Sequence, residues 1–316
     1  MNDSGLDLVA GGSGFIGSHI VQSLLAEGRR VRVLDNLATG HRSNLQGLDV
    51  EFVEGDAADP AVAEVACTGV ERIFQLAARP SVPWSVEFPA EAEHANHGTT
   101  LALLDAASQA GCRALVFSSS SAIYGDDPIQ PKVESLPAAP QSPYAEHKLA
   151  GELALASAPE SLRTVSLRYF NVYGPRQDPS SPYSGVISLF ARWAKAGDGV
   201  RFHGDGGQTR DFVFAADVAR ANLLAAKAAA DGRLAQGAVF NIGTGSSVSI
   251  AELWQGLCES LGRDPGEPTL LGDRPGDVRH SSADVSAAAR ELGFEATVSL
   301  AEGLCLTLDA VAAEDA

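Results

Sequence analysis

Cysteine, methionine and lysine are scarce in this 316-residue chain, which has four, one and four of them. Cys67, Cys112, Cys258 and Cys305 lie far apart and form no CxxC or Cys/His cluster. Neither a disulfide framework nor a metal site is therefore expected, and the four read as reduced thiols. Basic charge is also in short supply. Against 40 Asp and Glu there are only 23 Lys and Arg, a formal net charge of -17. Nucleic acid and anionic membrane surfaces are poor partners for such a chain, and any anionic ligand must meet a local positive site. No apolar run approaches the roughly 18 residues of a membrane-spanning helix. The opening MNDSGLDLVAGG has no basic segment followed by an apolar stretch and a small-residue cleavage site. A cytoplasmic, soluble protein is the expectation.

What is present is alternation. Leu6–Ala10, Val31–Leu34, Val50–Val53, Arg72–Leu76, Ala114–Ser118 and Thr164–Leu167 read as six strands separated by helical patterns. This is the pattern of an α/β doubly wound parallel sheet. Ile16, Ile20, Leu24 and Leu25 recur at helical spacing after the first strand. A longer helix is expected over roughly 90–110, and another begins near Tyr144 after Ser142 and Pro143. Beyond Asn171 come Gly/Pro-rich turns and helices near 185–196, 216–230 and 249–261. The expected division is a first lobe over 1–170 and a smaller α/β lobe over 171–316. Segments 210–213 and 239–242 are strand-like and are expected to return to the first sheet, within a stretch of about 210–245.

Between the first strand and first helix stands Gly11-Gly12-Ser13-Gly14-Phe15-Ile16-Gly17. In a strand–turn–helix unit Gly11 permits the tight turn, Gly14 lets a pyrophosphate approach the backbone, and Gly17 lets helix and strand pack closely. The helix amino terminus then offers free N–H groups to the anion. Asp35 ends the second strand, where a carboxylate accepts from ribose hydroxyls and repels a 2'-phosphate, favouring NAD over NADP. Asp56 closes the third strand, within reach of an adenine. Glycines serving only a turn are the bland alternative, and the complete unit argues against it.

A second constellation is Tyr144-Ala-Glu-His-Lys148. Residues four apart share a helix face, so Lys148 can sit beneath Tyr144 and favour its phenolate as a general base. Two residues can match by chance, but Ser118-Ser-Ser-Ser121 ends the fifth strand on the carboxyl side, where open α/β sheets bind ligands.

GGSGFIG, SSSSAIYG, YAEHK, LRYFNVYGPRQ and GDGGQTRDFV together resemble the extended short-chain dehydrogenase/reductase superfamily, in the order seen in nucleotide-sugar 4-epimerases. The resemblance spans nearly the whole chain. It implies a Rossmann fold binding NAD and a smaller lobe binding a UDP-sugar. It also implies a tyrosinate that takes the C4 hydroxyl proton while hydride leaves C4, and a homodimer formed through the helix near 90–110 and the one containing Tyr144. Carried over, Tyr144 is the base, Lys148 anchors the nicotinamide ribose and lowers the tyrosine pKa, and Ser120 orients the C4 oxygen. Phe15, Ile16, Asn36, Gly40, Ala57, Leu76, Ala77, Ala78, Asn96 and Tyr169 join the glycines, Asp35 and Asp56 around NAD. Ser81, Ser121, Asn171, Arg210, Arg274 and Ser281 fall to the substrate, with Asn171 and the two arginines on its diphosphate.

The resemblance also bears on reaction type. Sugar 4,6-dehydratases carry an Asp-Glu pair just after the catalytic Ser or Thr, and decarboxylases of UDP-glucuronate a glutamate at the second of those positions. Ser121 and Ala122 stand there. Epimerisation is the expectation, with UDP-glucose and UDP-galactose as substrates. Ser281 is small where an aromatic residue would close the pocket to an N-acetyl group, which adds UDP-GlcNAc and UDP-GalNAc. A UDP-glucuronate epimerase and a non-catalytic dinucleotide-binding protein are the rival readings. Three departures from the family pattern are Ala10, Gln75 and Arg79-Pro80.

Overall fold

The computed structural model describes residues 5–178, 185–272 and 278–314. Seven parallel strands form the main sheet: β1 (Leu6–Ala10), β2 (Arg30–Asp35), β3 (Glu51–Glu54), β4 (Arg72–Gln75), β5 (Ala114–Ser120), β6 (Arg163–Tyr169) and β7 (Ala238–Ile242), in spatial order 7-6-5-4-1-2-3. The six strands expected before residue 170 are all there, and β7 is the returning segment at 239–242. Such a sheet is covered on both faces, which is why its strands read as continuous apolar runs. One face packs Val9, Val33, Val116 and Leu167 against α1 (Phe15–Ala26) and the helix Ala215–Ala230. The other packs Leu8, Ile73, Leu115 and Phe117 against the helices Pro60–Cys67 and Thr99–Gln109.

The other expected returning segment behaves differently. Thr209–Arg210 pairs with Val248–Ser249 and His280–Ser281, and Phe212–Phe214 pairs with Asn171–Tyr173, so neither joins the main sheet. Polarity alone does not decide this, since Arg72, Thr164, Ser166 and Arg168 lie buried in strands of the main sheet. The Asp211 carboxylate instead accepts from the backbone N–H groups of Thr244, Gly245 and Ala283. Beyond these ribbons a separate apolar cluster joins Phe190, Phe202, Trp254, Leu257 and Leu304.

The long helix expected over 90–110 is built as Pro89–Glu93, a π-helical turn at His94–Gly98 and Thr99–Gln109. Single π turns widen a helix locally and recur at functional sites. The helix α2 (Pro143–Ala156) starts as the sequence predicts. Pro143 occupies the first turn and the Ser142 hydroxyl accepts from the Ala145 N–H. Among the described residues no helix is long and apolar enough to cross a membrane.

Candidate active site

Strand order reverses between β1 and β4, and at their carboxyl ends a cleft of about 1300 Å³ opens. This is the crevice where open α/β sheets take ligands. Its floor is the glycine turn. Gly11 has φ +81°, and a Cβ there would lie 2.7 Å from the Ala77 nitrogen. A Cβ on Gly17 would lie 2.1 Å from the Gly11 carbonyl oxygen, so α1 reaches the sheet only because that side chain is absent. No side chain caps α1 and no acid stands in its first turn. Its leading N–H groups are left for an anion. A dinucleotide diphosphate fits this cradle.

Asp35, 8 % exposed, lies beside it. Its carboxylate accepts from the Ser13 N–H at 2.9 Å and the Leu37 N–H at 2.8 Å. The acid therefore fastens the glycine turn and keeps lone pairs for ribose hydroxyls. Of the residues assigned to NAD from sequence, Gly11, Gly14, Phe15, Ile16, Gly17, Asp35, Asn36, Gly40, Asp56, Ala57, Leu76, Ala77, Ala78, Tyr144, Lys148 and Tyr169 all line the cleft. Asn96 stands just behind the wall, in the π turn. Its Oδ1 accepts from the Arg79 N–H at 2.7 Å, and its buried Nδ2 has no partner among the described residues.

At the other end of the cleft Tyr144, Lys148 and Ser120 meet. Ser120 is the last residue of β5, and its hydroxyl, beside Tyr144 on the cleft wall, favours the phenolate. The Ser85 hydroxyl accepts from the Tyr144 N–H at 3.2 Å, tying the short helix Val82–Glu87 to the start of α2. The lysine also has a partner on β5. Its ammonium donates to the Ser118 carbonyl at 2.6 Å and stands 5.8 Å from the centre of the Tyr144 ring. Burial pushes the Tyr144 phenol above its ordinary pKa, against the pull of the Ser120 hydroxyl. In the protein alone the net shift is upward, because the desolvation cost of a phenolate outweighs what acts against it. Burial likewise pushes Lys148 down to about 8, against the Glu152 carboxylate.

Glu152 is a residue that the sequence reading missed. It continues the same helix face one turn beyond Lys148, accepts from the Ser119 hydroxyl, and holds Arg168 with two bonds of 2.9 and 2.7 Å. The four-residue spacing was the available signal. Arg79 and Trp84 were also unassigned, and both line the cleft.

The substrate residues are distributed less evenly. Ser81 and Ser120 line the cleft, whereas Ser121, Asn171, Arg210 and Ser281 are not on its wall. Asn171, Arg210 and Ser281 are nonetheless brought together through the Asp211 backbone. The Asn171 N–H donates to the Asp211 carbonyl, the Asp211 N–H donates to the Ser281 carbonyl, and Arg210 pairs with Ser281 in register. Phe170 and Val172, which flank Asn171, line the cleft, so this patch adjoins it. Arg274 lies outside the described residues.

Known proteins share this fold. A UDP-glucose 4-epimerase of Mycolicibacterium smegmatis is 38% identical over 311 residues, covering 96% of this chain and 97% of its own. A solved UDP-N-acetylglucosamine 4-epimerase from Methanobrevibacter ruminantium, in complex with UDP-N-acetylmuramic acid, superposes with a TM-score of 0.92 at 36% identity, covering 99% of this chain and 100% of that one. A Thermus thermophilus UDP-glucose 4-epimerase in complex with NAD superposes with a TM-score of 0.85 at 38% identity, covering 96% and 98%. The model of the NAD dependent epimerase/dehydratase family matches residues 8–243, and with this sheet, cleft and Ser–Tyr–Lys group the chain belongs to that family.

Proposed function

We propose that this chain is an NAD-dependent nucleotide-sugar 4-epimerase that interconverts UDP-glucose and UDP-galactose, and UDP-GlcNAc and UDP-GalNAc, through a 4-keto sugar. The observation that carries this is one cleft holding the glycine cradle and Asp35 at one end and Ser120, Tyr144 and Lys148 at the other. Bound NAD supplies the acceptor that takes hydride from C4 and returns it. Tyr144 takes the proton of the C4 hydroxyl and later gives it back, and the Ser120 hydroxyl, on the same cleft wall, orients the C4 oxygen. Lys148 anchors the nicotinamide ribose and is the cation placed to oppose the rise in the phenol's pKa.

Residues 1–170 with the strand Ala238–Ile242 form the dinucleotide lobe, and most of 171–316 forms the sugar-nucleotide lobe. Asn171, Arg210 and Arg274 hold the substrate diphosphate, and Ser81, Ser121 and Ser281 face the sugar. Neither Ser121 nor Ala122 can act as the extra acid or base that dehydration or decarboxylation needs. The protein works in the cytoplasm as a homodimer, for which Leu101 and Leu153 offer exposed apolar side chains on the two helices concerned. Incubation with UDP-glucose and UDP-GlcNAc, with products resolved by NMR, should give the C4 epimers. Carbon dioxide or an accumulating 4-keto product would contradict the reading.

A further inference from the structure

Most arginines of this acidic chain are matched to carboxylates. Arg29, Arg72, Arg113, Arg168, Arg220 and Arg279 all form ion pairs of 2.5 to 2.9 Å. Arg79 differs. It is the one arginine on the cleft wall among the described residues, and it forms no ion pair with any of them.

Its surroundings hold it in place without neutralising it. The Asn96 Oδ1 accepts from the Arg79 backbone N–H at 2.7 Å, fixing the chain where it leaves β4. The guanidinium carbon lies 4.6 Å from the centre of the Trp84 ring. An aromatic face holds a guanidinium by cation–π attraction and stacking, and leaves its donor edge open. Trp84 is itself fixed, since the Ser81 hydroxyl accepts from its N–H at 3.1 Å and caps the short helix. That helix is tied to the Tyr144 N–H through Ser85. The platform is thus tied to the reacting end of the cleft through Ser85, while Ala77, two residues before Arg79, abuts the glycine turn at Gly11.

A planar fork of donors, oriented by an indole and with no carboxylate paired to it among the described residues, suits a two-oxygen anion. We infer that Arg79, seated on Trp84, is an oxyanion-recognition residue of the cleft. This rests on the nucleotide-sugar reading above. Two sources carry the required chemistry: a carboxylate on the hexose next to C4, as in a uronic acid, and the diphosphate of the dinucleotide. In a chain of net charge -17 either ligand needs such a local cation.

The test uses the full-length protein with Arg79→Met, which keeps the stem and removes the fork. NAD affinity is read by calorimetry on cofactor-stripped protein, and kcat/KM is read for UDP-glucuronate and UDP-glucose. A tenfold or greater fall in the UDP-glucuronate to UDP-glucose ratio assigns Arg79 to the sugar carboxylate. A tenfold or greater rise in the NAD dissociation constant with a constant ratio assigns it to the diphosphate. Arg79→Lys should recover only part of either effect, because it restores charge without the fork, and it serves if the methionine variant does not fold. If neither quantity moves more than twofold in a variant of unchanged Tm, the inference is overturned. If neither protein turns over any nucleotide sugar while NAD affinity still falls, the epimerase reading fails and the role of Arg79 stands.

Discussion

Two neighbouring glycines should fail in different ways when each is given a methyl group. In Gly17→Ala the new Cβ would sit 2.1 Å from the Gly11 carbonyl oxygen and 2.9 Å from the Gly12 Cα, all backbone. Relief requires α1 to retreat from β1 by more than an ångström in a close-packed interior, and overpacking of this kind costs about 1–3 kcal/mol. In Gly14→Ala the only atom within 4 Å is the same oxygen at 3.2 Å, a contact relieved by a few tenths of an ångström. Gly14 lines the cleft at the head of α1, so its methyl group would occupy the space in front of the helix N–H groups instead of pushing on the fold. Gly17→Ala should therefore lower Tm by about 2–4 °C for each kcal/mol lost. Gly14→Ala should leave Tm nearly unchanged and weaken NAD binding at least tenfold. Thermal melts without ligand, paired with calorimetric titration of NAD, separate the two. A Gly14→Ala protein that binds NAD with wild-type affinity would refute the assignment of the diphosphate to this turn.

Three further outcomes follow from buried charge and hydrogen bonding. Lys148 titrates at about 8 in the folded protein and near the ordinary lysine value of about 10.4 when unfolded. Between those values the unfolded chain holds more protons, so this group adds stability as pH rises through that window and none below it. The wild-type advantage over Lys148→Met in urea unfolding should then grow from pH 8 to pH 10, and a flat difference would contradict the burial. Glu152→Ala leaves the buried Arg168 guanidinium without its carboxylate and should cost about 3–5 kcal/mol in urea denaturation. Asp35→Ser removes the charge that excludes a 2'-phosphate, so the preference for NAD over NADP in direct binding should shrink at least tenfold; an unchanged preference would place that discrimination elsewhere.

Much of the fold was legible because a doubly buried parallel sheet writes itself as apolar runs. The six strands before residue 170 and the start of α2 at Ser142-Pro143 needed only local chemistry. The segment 209–214 misled because Phe212-Val-Phe looks like sheet, while what decides its place is a buried carboxylate, Asp211, whose partners lie more than 30 residues away. At the glycine turn, Gly11 and Gly17 answer local steric demands, which is why their spacing could be read. The spacing of Tyr144 and Lys148 brings both onto the cleft wall, while the burial that raises the phenol's pKa is not written in that spacing. Helical spacing puts the two residues on one face; the Ser118 carbonyl that takes the ammonium's hydrogen bond is supplied by a strand. Arg79 and Trp84 carry no motif, and only the folded chain sets one upon the other.

The central claim is that the Tyr144 phenol moves the C4 proton within a cleft that binds NAD independently of it. It is tested most directly by Tyr144→Phe, with UDP-glucose turnover and NAD affinity measured on the same preparation. The account predicts that the wild-type protein converts UDP-glucose to UDP-galactose, and that the variant binds NAD about as well and loses turnover by a factor of about 10² or more, the usual contribution of a general base. A variant that epimerises UDP-glucose at the wild-type rate would contradict it.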